Sequence, residues 1–270
     1  MEKEKRIKPT GDLAFKKVFG TIGNEDIIEG LIEDFFDIKP KEIVIKNPYD
    51  IKAYSKLDVK TGEEYVILRQ TLKDVGATFS AGDFTAEMQI QSTDTFGKRM
   101  LYYPFSLFCS NHDAKGTKYD DLIPVYAINI LTESYFKQSG CVKRFAFFDE
   151  YSGKPMEEQY IKIACLELRK ESGYYNKHQE YWGKYFNGNE IPKESPDYIK
   201  KAEQIIEKSN LGKEELEMLT LTEKYEADQH ALISTAINKG KKELAEELIK
   251  AGVNPKLIES VSGLPRKPSV

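Results

Sequence analysis

Apolar residues recur every three or four positions in the segment that follows Asn24. This spacing places them on one stripe of an amphipathic helix. Asn24 would cap that helix, and the sequence Asp37-Ile38-Lys39-Pro40 would end it. A second helix is predicted over residues 94–112. Between them, residues 41–92 carry β-branched and aromatic residues broken by Gly and Asp, which is typical of strands and turns.

Three later segments predict further strands. Residues 122–131 form an almost continuous apolar run of strand length, as expected for a strand that is covered on both faces. Residues 145–148 and 161–168 are the other two. Strands alternating with helices in this order predict an α/β fold, a mixed sheet flanked by helices.

One of the earlier strands has a polar face. With period two, Thr85, Glu87 and Gln89 alternate with the apolar residues of the segment that begins at Phe84. Asp74, in the preceding segment, would lie beside Glu87 across the strand pair. Two carboxylates and an amide in one small volume suit a hard cation such as Mg²⁺. The alternative is that these residues line the solvent face of an ordinary hairpin.

Six segments, in this order, carry a family resemblance. They are GDLAFKKVFG at 11–20, LRQTLKDV at 68–75, EMQ at 87–89, KRMLYYPF at 98–105, LIPVYAI at 122–128 and LELRK at 166–170. Together they resemble the PD-(D/E)XK nuclease superfamily, and within it the Rpn-type recombination-promoting nucleases, which are also called PD-(D/E)XK family transposases. The resemblance spans about residues 8–185.

The resemblance implies a restriction-endonuclease-like core in which Asp74 and Glu87 bind Mg²⁺, with Mn²⁺ as a substitute. The residue two positions after the glutamate assists the attacking water. Here that residue is Gln89, where the superfamily name records lysine. A neutral amide can orient a water molecule, but it cannot supply positive charge to a developing oxyanion.

Two further residues have a family role and a plain alternative. Asp12 would complete the metal shell, or it would only stabilise a helix N-terminus. Arg99 would hold a phosphate with its guanidinium, or it would form a salt bridge at the surface. We interpret Lys16 and Lys17 as solvated helix residues and not as catalytic cations. We interpret the aromatic run over residues 102–108 as core, the alternative being a platform on which bases stack.

Asp58 is a rival metal ligand, because Lys56-Leu57-Asp58-Val59 partly repeats the sequence around Asp74. No Glu-x-Gln follows it in strand register, and we interpret it as a loop residue. Two clusters of basic residues lie at the ends of the chain, and we interpret both as solvated and not as contacts to nucleic acid. They are Lys3, Lys5, Arg6 and Lys8, then Arg266 and Lys267.

The net charge of −4 and the pI near 5.7 have the wrong sign for a protein that coats DNA. A nuclease needs only a local basic groove beside an acidic metal site. No apolar run reaches the roughly 20 residues that a membrane span requires. We therefore expect a cytoplasmic protein that does not enter a membrane.

The chain is long enough for a core and an appended module. We assign residues 1–185 to the nuclease-like core and residues 186–270 to a helical C-terminal region. Helices are predicted over 196–210, 213–227 and 229–250. A glycine turn at Gly252 then leads to a short helix over 256–261, and this pair resembles a helix-turn-helix.

The function implied by the resemblance is that of a metal-dependent DNA endonuclease linked to recombination or mobile elements. One alternative is a catalytically weak or inactive nuclease-fold module that binds DNA or a protein, which Gln89 and the acidic pI favour. Another is a toxin-like effector regulated through its helical tail. The sequence leaves open whether the protein forms a homodimer.

Overall fold

The computed structural model describes residues 6–46, 74–80, 82–89, 95–112, 118–254 and 258 of the 270-residue chain. At Asp74 and at residues 87–89 it describes the backbone alone. Asp58, the terminal basic residues Lys3, Lys5, Arg266 and Lys267, and most of the predicted helix over 256–261 lie outside the described residues.

Within the described residues, a mixed six-stranded sheet forms the centre of the fold, with the strand order β1-β2-β3-β4-β6-β5. The β3–β4 and β4–β6 pairs are parallel, and the other pairs are antiparallel. The strands are β1 (Val44–Ile45), β2 (Asp74–Phe79), β3 (Gly82–Gln89), β4 (Val125–Leu131), β5 (Val142–Phe145) and β6 (Ile161–Glu167).

The helices, in chain order, are α1 (Asp12–Gly20), α2 (Glu25–Phe36), α3 (Phe96–His112), α4 (Lys177–Phe186), α5 (Asp197–Ile205) and α6 (Lys213–Lys250). The first three contact the sheet. The α/β class and the mixed sheet flanked by helices, predicted from the sequence, are confirmed. No helix within the described ranges is long and apolar enough to cross a membrane.

Helix α3 packs on one face of the sheet, where Phe96 and Met100 contact Ala127, Leu131 and neighbouring residues of β6. Helices α1 and α2 pack on the opposite face. Every residue of β4 is buried, because helices cover that strand on both sides. This agrees with the continuous apolar run that predicted the strand.

The prediction of a strand over residues 145–148 is wrong in position. The observed strand, β5, runs earlier, over Val142–Phe145, and shares only Phe145 with the predicted range. Phe148 makes only an isolated bridge with Pro155. Phe147 and Phe148 are 46% and 57% exposed. The aromatic run therefore marks a surface loop, and the less apolar segment before it pairs with β6.

Helix α4 is joined to the first helices through an aromatic core. The Trp182 ring lies 5.8 Å from that of Phe19 in α1 and 5.7 Å from that of Phe186. All three side chains are fully buried. The structure divides into two compact units, Met1–Glu215 and Leu216–Val270. Residue 185 lies within α4, and the division predicted there stays a prediction.

The helix predictions for the last third need one correction. The segments 213–227 and 229–250 form a single helix of 38 residues, since no proline or glycine interrupts the chain near Asp228. After Lys250 the helix ends in a Schellman motif: Gly252 has a φ of 82°, and the amide of Val253 donates to the Leu248 carbonyl at 3.0 Å. The predicted glycine turn is at this position.

The basic residues near the N-terminus are less exposed, and form more ion pairs, than predicted. Lys16 is only 5% exposed, and Lys17 donates to a carboxylate oxygen of Glu215 at 2.5 Å. The prediction that both are solvated is wrong, because α1 is covered on several sides. Arg6 forms an ion pair with Glu203, so it is not a solvated terminus either, whereas Lys8 is exposed as predicted.

Asn24 precedes α2 as predicted, but its side chain does not cap that helix. Its amide donates instead to the carbonyl of Val18 at 2.9 Å and to that of Lys17 at 3.3 Å. These are carbonyls of the last turns of α1. Asn24, at the start of α2, therefore supplies hydrogen bonds to carbonyl groups at the end of α1.

Asp34 joins α2, α4 and α5 through its carboxylate. The indole N–H of Trp182 donates to Oδ2 at 2.9 Å, the hydroxyl of Tyr198 donates to the same oxygen at 2.8 Å, and Nδ1 of His178 lies 2.8 Å from Oδ1. Burial raises the pKa of Asp34 above its ordinary value, although these three hydrogen bonds act in the opposite direction. Asp34 is thus a buried polar centre of the first unit.

We predict that Asp34→Ala lowers the free energy of unfolding by about 2–4 kcal/mol, because it leaves buried donors without an acceptor. Urea denaturation of the full chain measures this. Asp26→Ala is the matched control on the same helix, since Asp26 pairs with Lys201 at a half-exposed site. Its expected effect is below about 0.5 kcal/mol. Equal losses in the two variants would contradict the role of Asp34.

Candidate nuclease site

Asp74 and Glu87 are directly opposite each other in the antiparallel pairing of β2 with β3. Opposite residues of an antiparallel pair share one face of the sheet, with Cα atoms about 4.5–5.5 Å apart. Gln89 follows on the same face, two positions further along β3. The backbone therefore places Asp74 beside Glu87, as the sequence predicts.

The neighbouring strand adds a residue that the sequence did not single out. Asn129 of β4 is the register partner of Glu87 on its other side. It is buried, at 4% exposure. The sequence gives little signal for it, because it is one polar residue within the apolar run of β4. The parallel pairing of β3 with β4, which no local pattern encodes, brings it beside Glu87.

A groove of about 330 Å³ lies between α3 and this part of the sheet. Its walls include Gly76 and Thr85, each two residues from a member of the acidic pair, and also Asn129. Arg99 and Tyr103 of α3 line the other side. The register positions of Asp74 and Glu87 are therefore next to an open groove between the sheet and a helix.

Two cationic side chains reach this groove. Arg99, expected to contact phosphate, is half-buried there, and its guanidinium carbon lies 5.6 Å from the centre of the Tyr103 ring. Lys46, directly after β1, is the second cation, and the sequence did not identify it. Its ammonium group lies 3.0 Å from Oδ1 of the buried Asp83. That bond uses one of the three N–H donors of the ammonium group.

Asp12 is the first residue of α1 and is half-buried. An acidic group in the first turn is favourable there, because it lies near the positive end of the helix dipole. Helix α1 contacts β2, the strand that begins at Asp74. Within the described part of the chain, the residues that line the groove do not include Asp12.

The aromatic segment of α3 differs from its prediction. Tyr102, Tyr103 and Phe105 are 66%, 38% and 39% exposed, so the interpretation of this run as core is wrong for these three. Phe96, Met100 and Pro104 form the buried stripe of the helix instead. Phe108 is half-buried and packs against this core, so the prediction fails only for the three exposed rings.

Glu167, at the end of β6, has a carboxylate that is bound by groups of the protein itself. It is fully buried and accepts backbone N–H bonds from Tyr135 at 2.7 Å and Phe136 at 3.0 Å. The ammonium groups of Lys170 and Lys143 lie 2.5 Å and 3.6 Å from its Oε2. Its two oxygens are already used within the protein.

Among the residues whose side chains the structure describes, no cluster of three or more His, Cys, Asp or Glu could hold a metal ion. The side chains of Asp74 and Glu87 are not among them. The two carboxylates that the register brings together are nevertheless oxygen ligands of the kind that Mg²⁺ takes.

The mixed sheet with flanking helices is consistent with a restriction-endonuclease-like fold. The family model of the PD-(D/E)XK nuclease family transposases matches residues 9–236 of the chain. Because this match covers most of the sequence, the chain belongs to that family. No curated protein and no solved structure matches the chain significantly.

We predict that Glu167→Gln destabilises the fold without removing a reacting group. The substitution leaves Lys143 and Lys170 without a buried countercharge, and breaking one side of a buried ion pair costs about 3–5 kcal/mol. Chemical denaturation measures the loss. Glu133→Gln is the control, because Glu133 forms an exposed pair with Arg169. An unfolding free energy equal to that of the wild type would exclude the structural role of Glu167.

Proposed function

We propose that the protein is a metal-dependent DNA endonuclease that hydrolyses phosphodiester bonds. The observation that carries this proposal is the register of Asp74 opposite Glu87, next to a groove that contains Lys46 and Arg99. Membership of the PD-(D/E)XK nuclease family transposases supports it. A link to recombination or mobile elements is part of the proposal and rests on the family resemblance alone.

Asp74 and Glu87 would hold the divalent cation, Mg²⁺ or Mn²⁺, and Asp12 would complete its shell from α1. The ion supplies a Lewis acid and lowers the pKa of a bound water molecule. Gln89, on the same face as Glu87, would orient the attacking water with its amide. Arg99 would bind phosphate oxygens, for which the planar guanidinium is well suited.

Lys46 compensates for the main departure from the family pattern. Gln89 replaces the lysine of the superfamily name, so the motif itself lacks a positive charge. Lys46 reaches the same groove from β1, and Asp83 fixes its position. We assign to it the stabilisation of negative charge that develops on the phosphate in the transition state.

We predict that Asp74→Asn and Glu87→Gln each lower the rate of Mg²⁺-dependent plasmid nicking about 100-fold or more, because each removes a charged ligand. Binding of DNA in Ca²⁺ is expected to persist. Asp58→Asn is the matched control, since Asp58 has a similar local sequence and is expected to keep full activity. Activity retained in both variants would contradict the proposal.

We predict that Lys46→Ala lowers nicking on the order of tenfold and that adding Gln89→Lys restores part of the rate. The reason is that either ammonium group can supply the charge that the phosphate develops. Single-turnover kinetics on the two single variants and the double variant measure this. Lys41→Ala, in the loop before β1, is the control for loss of a lysine. A double variant no faster than Lys46→Ala would count against this role for Lys46.

The second candidate function is a nuclease-fold module that binds DNA or a protein without cutting it, and Gln89 favours it. The same nicking assay separates the two. A wild type that binds DNA in Ca²⁺ but does not cut it with Mg²⁺ or Mn²⁺ supports the binding module.

A further inference from the structure

Helix α3 differs in charge from the chain as a whole. Its 17 residues include Lys98 and Arg99 but no Asp or Glu, whereas the protein has a net charge of −4. Tyr102 and Tyr103 are exposed side by side, with ring centres 5.7 Å apart. A cationic helix with exposed aromatic rings suits a ligand that is anionic and carries planar groups.

Tyr103 and Arg99 lie beside each other on the wall of the groove. The guanidinium carbon lies 5.6 Å from the ring centre, and both side chains line the groove wall. Aromatic rings and guanidinium groups are the two side-chain surfaces on which nucleobases stack. In a duplex the faces of the bases are covered by their neighbours. A ring in this position can therefore stack only on an unpaired base.

Asn129 supplies polar groups at the base of the groove. It is 4% exposed and lines the groove. A polar side chain at the wall of an open groove can form hydrogen bonds to a ligand in place of water. A carboxamide has a donor and an acceptor, which match the edge of a nucleobase.

The size and charge of the groove fit one nucleotide. Its volume of about 330 Å³ is at the lower end of the range of about 300–1,000 Å³ for ligand pockets. Lys46, with a side chain that is 40% exposed, provides a positive charge for a phosphate close to the aromatic wall. A nucleotide has a phosphate and a base, which are the two groups that this groove can bind.

We propose that the groove binds an unpaired nucleotide of a DNA strand, with its phosphate at Lys46 and Arg99, its base against Tyr103 and the edge of the base at Asn129. This rests on the proposed nuclease function, and it specifies the substrate class. The preferred substrate is DNA with unpaired nucleotides, such as a single strand, a gap or a flap, and not fully paired duplex.

The test is fluorescence anisotropy on the full chain in Ca²⁺, with an oligo-dT single strand and a fully paired duplex of equal length. The wild type binds the single strand about tenfold more tightly or better. Tyr103→Ala lowers that affinity about tenfold, the expected size of one lost base stack, and leaves duplex binding unchanged. Tyr103→Phe keeps the wild-type affinity. Tyr151→Ala, which removes a fully exposed tyrosine elsewhere, changes neither.

A second probe is oligo-dT with abasic positions. It binds the wild type about tenfold more weakly than intact oligo-dT, but the Tyr103→Ala variant binds both equally. Asn129→Ala also weakens binding of intact oligo-dT, with a thermal unfolding curve recorded to verify its fold. Equal wild-type affinity for single strand and duplex, or unchanged single-strand affinity in Tyr103→Ala, would overturn the proposal.

The two proposals fail separately. Loss of nicking in Asp74→Asn together with a Tyr103→Ala variant that binds the single strand normally leaves the nuclease function standing and removes the unpaired-nucleotide site. Single-strand binding that depends on Tyr103, in a wild type that cuts no DNA, keeps the site and removes the nuclease function.

Discussion

The candidate site depends on the antiparallel register of β2 against β3. This register sets Asp74 opposite Glu87 on one face of the sheet. A shift of the pairing by a single residue would move one carboxylate to the opposite face, because side chains alternate along a strand. The register is constrained by the apolar face, where Val75 pairs with Ala86 and Ala77 with Phe84, and all four are buried.

The groove shows how an acidic protein can offer a surface for DNA. Its cations are local: Arg99 comes from α3 and Lys46 from the end of β1, and Asp83 fixes the position of Lys46. The carboxylates that register places beside them would repel phosphate, and a divalent cation between the carboxylates would reverse that local sign. Net charge is therefore a poor guide to this site.

A helical layer covers the opposite face of the sheet. Helices α1 and α2 contact the sheet there, and α4 and α5 pack against these helices around Trp182 and the carboxylate of Asp34. Gly30 of α2 allows Tyr198 to reach that carboxylate, since a Cβ at Gly30 would lie 2.5 Å from the tyrosine ring. The glycine is unfavourable within an isolated helix. Glycine is needed at position 30 only because α5 crosses α2 there.

The sequence by itself determined the main elements and the acidic pair. The apolar stripe of α2 and the alternation of β3 are local patterns, and they predict element type and face without knowledge of the partners. The tertiary structure alone decided which residues surround the pair. Lys46, Asn129 and Tyr103 come from three elements far apart in sequence, and strand order and helix packing bring them together. The exposed aromatic side of α3 was predicted as core for the same reason: a single sequence records that a residue is apolar, while the packing of neighbouring elements decides whether anything covers it.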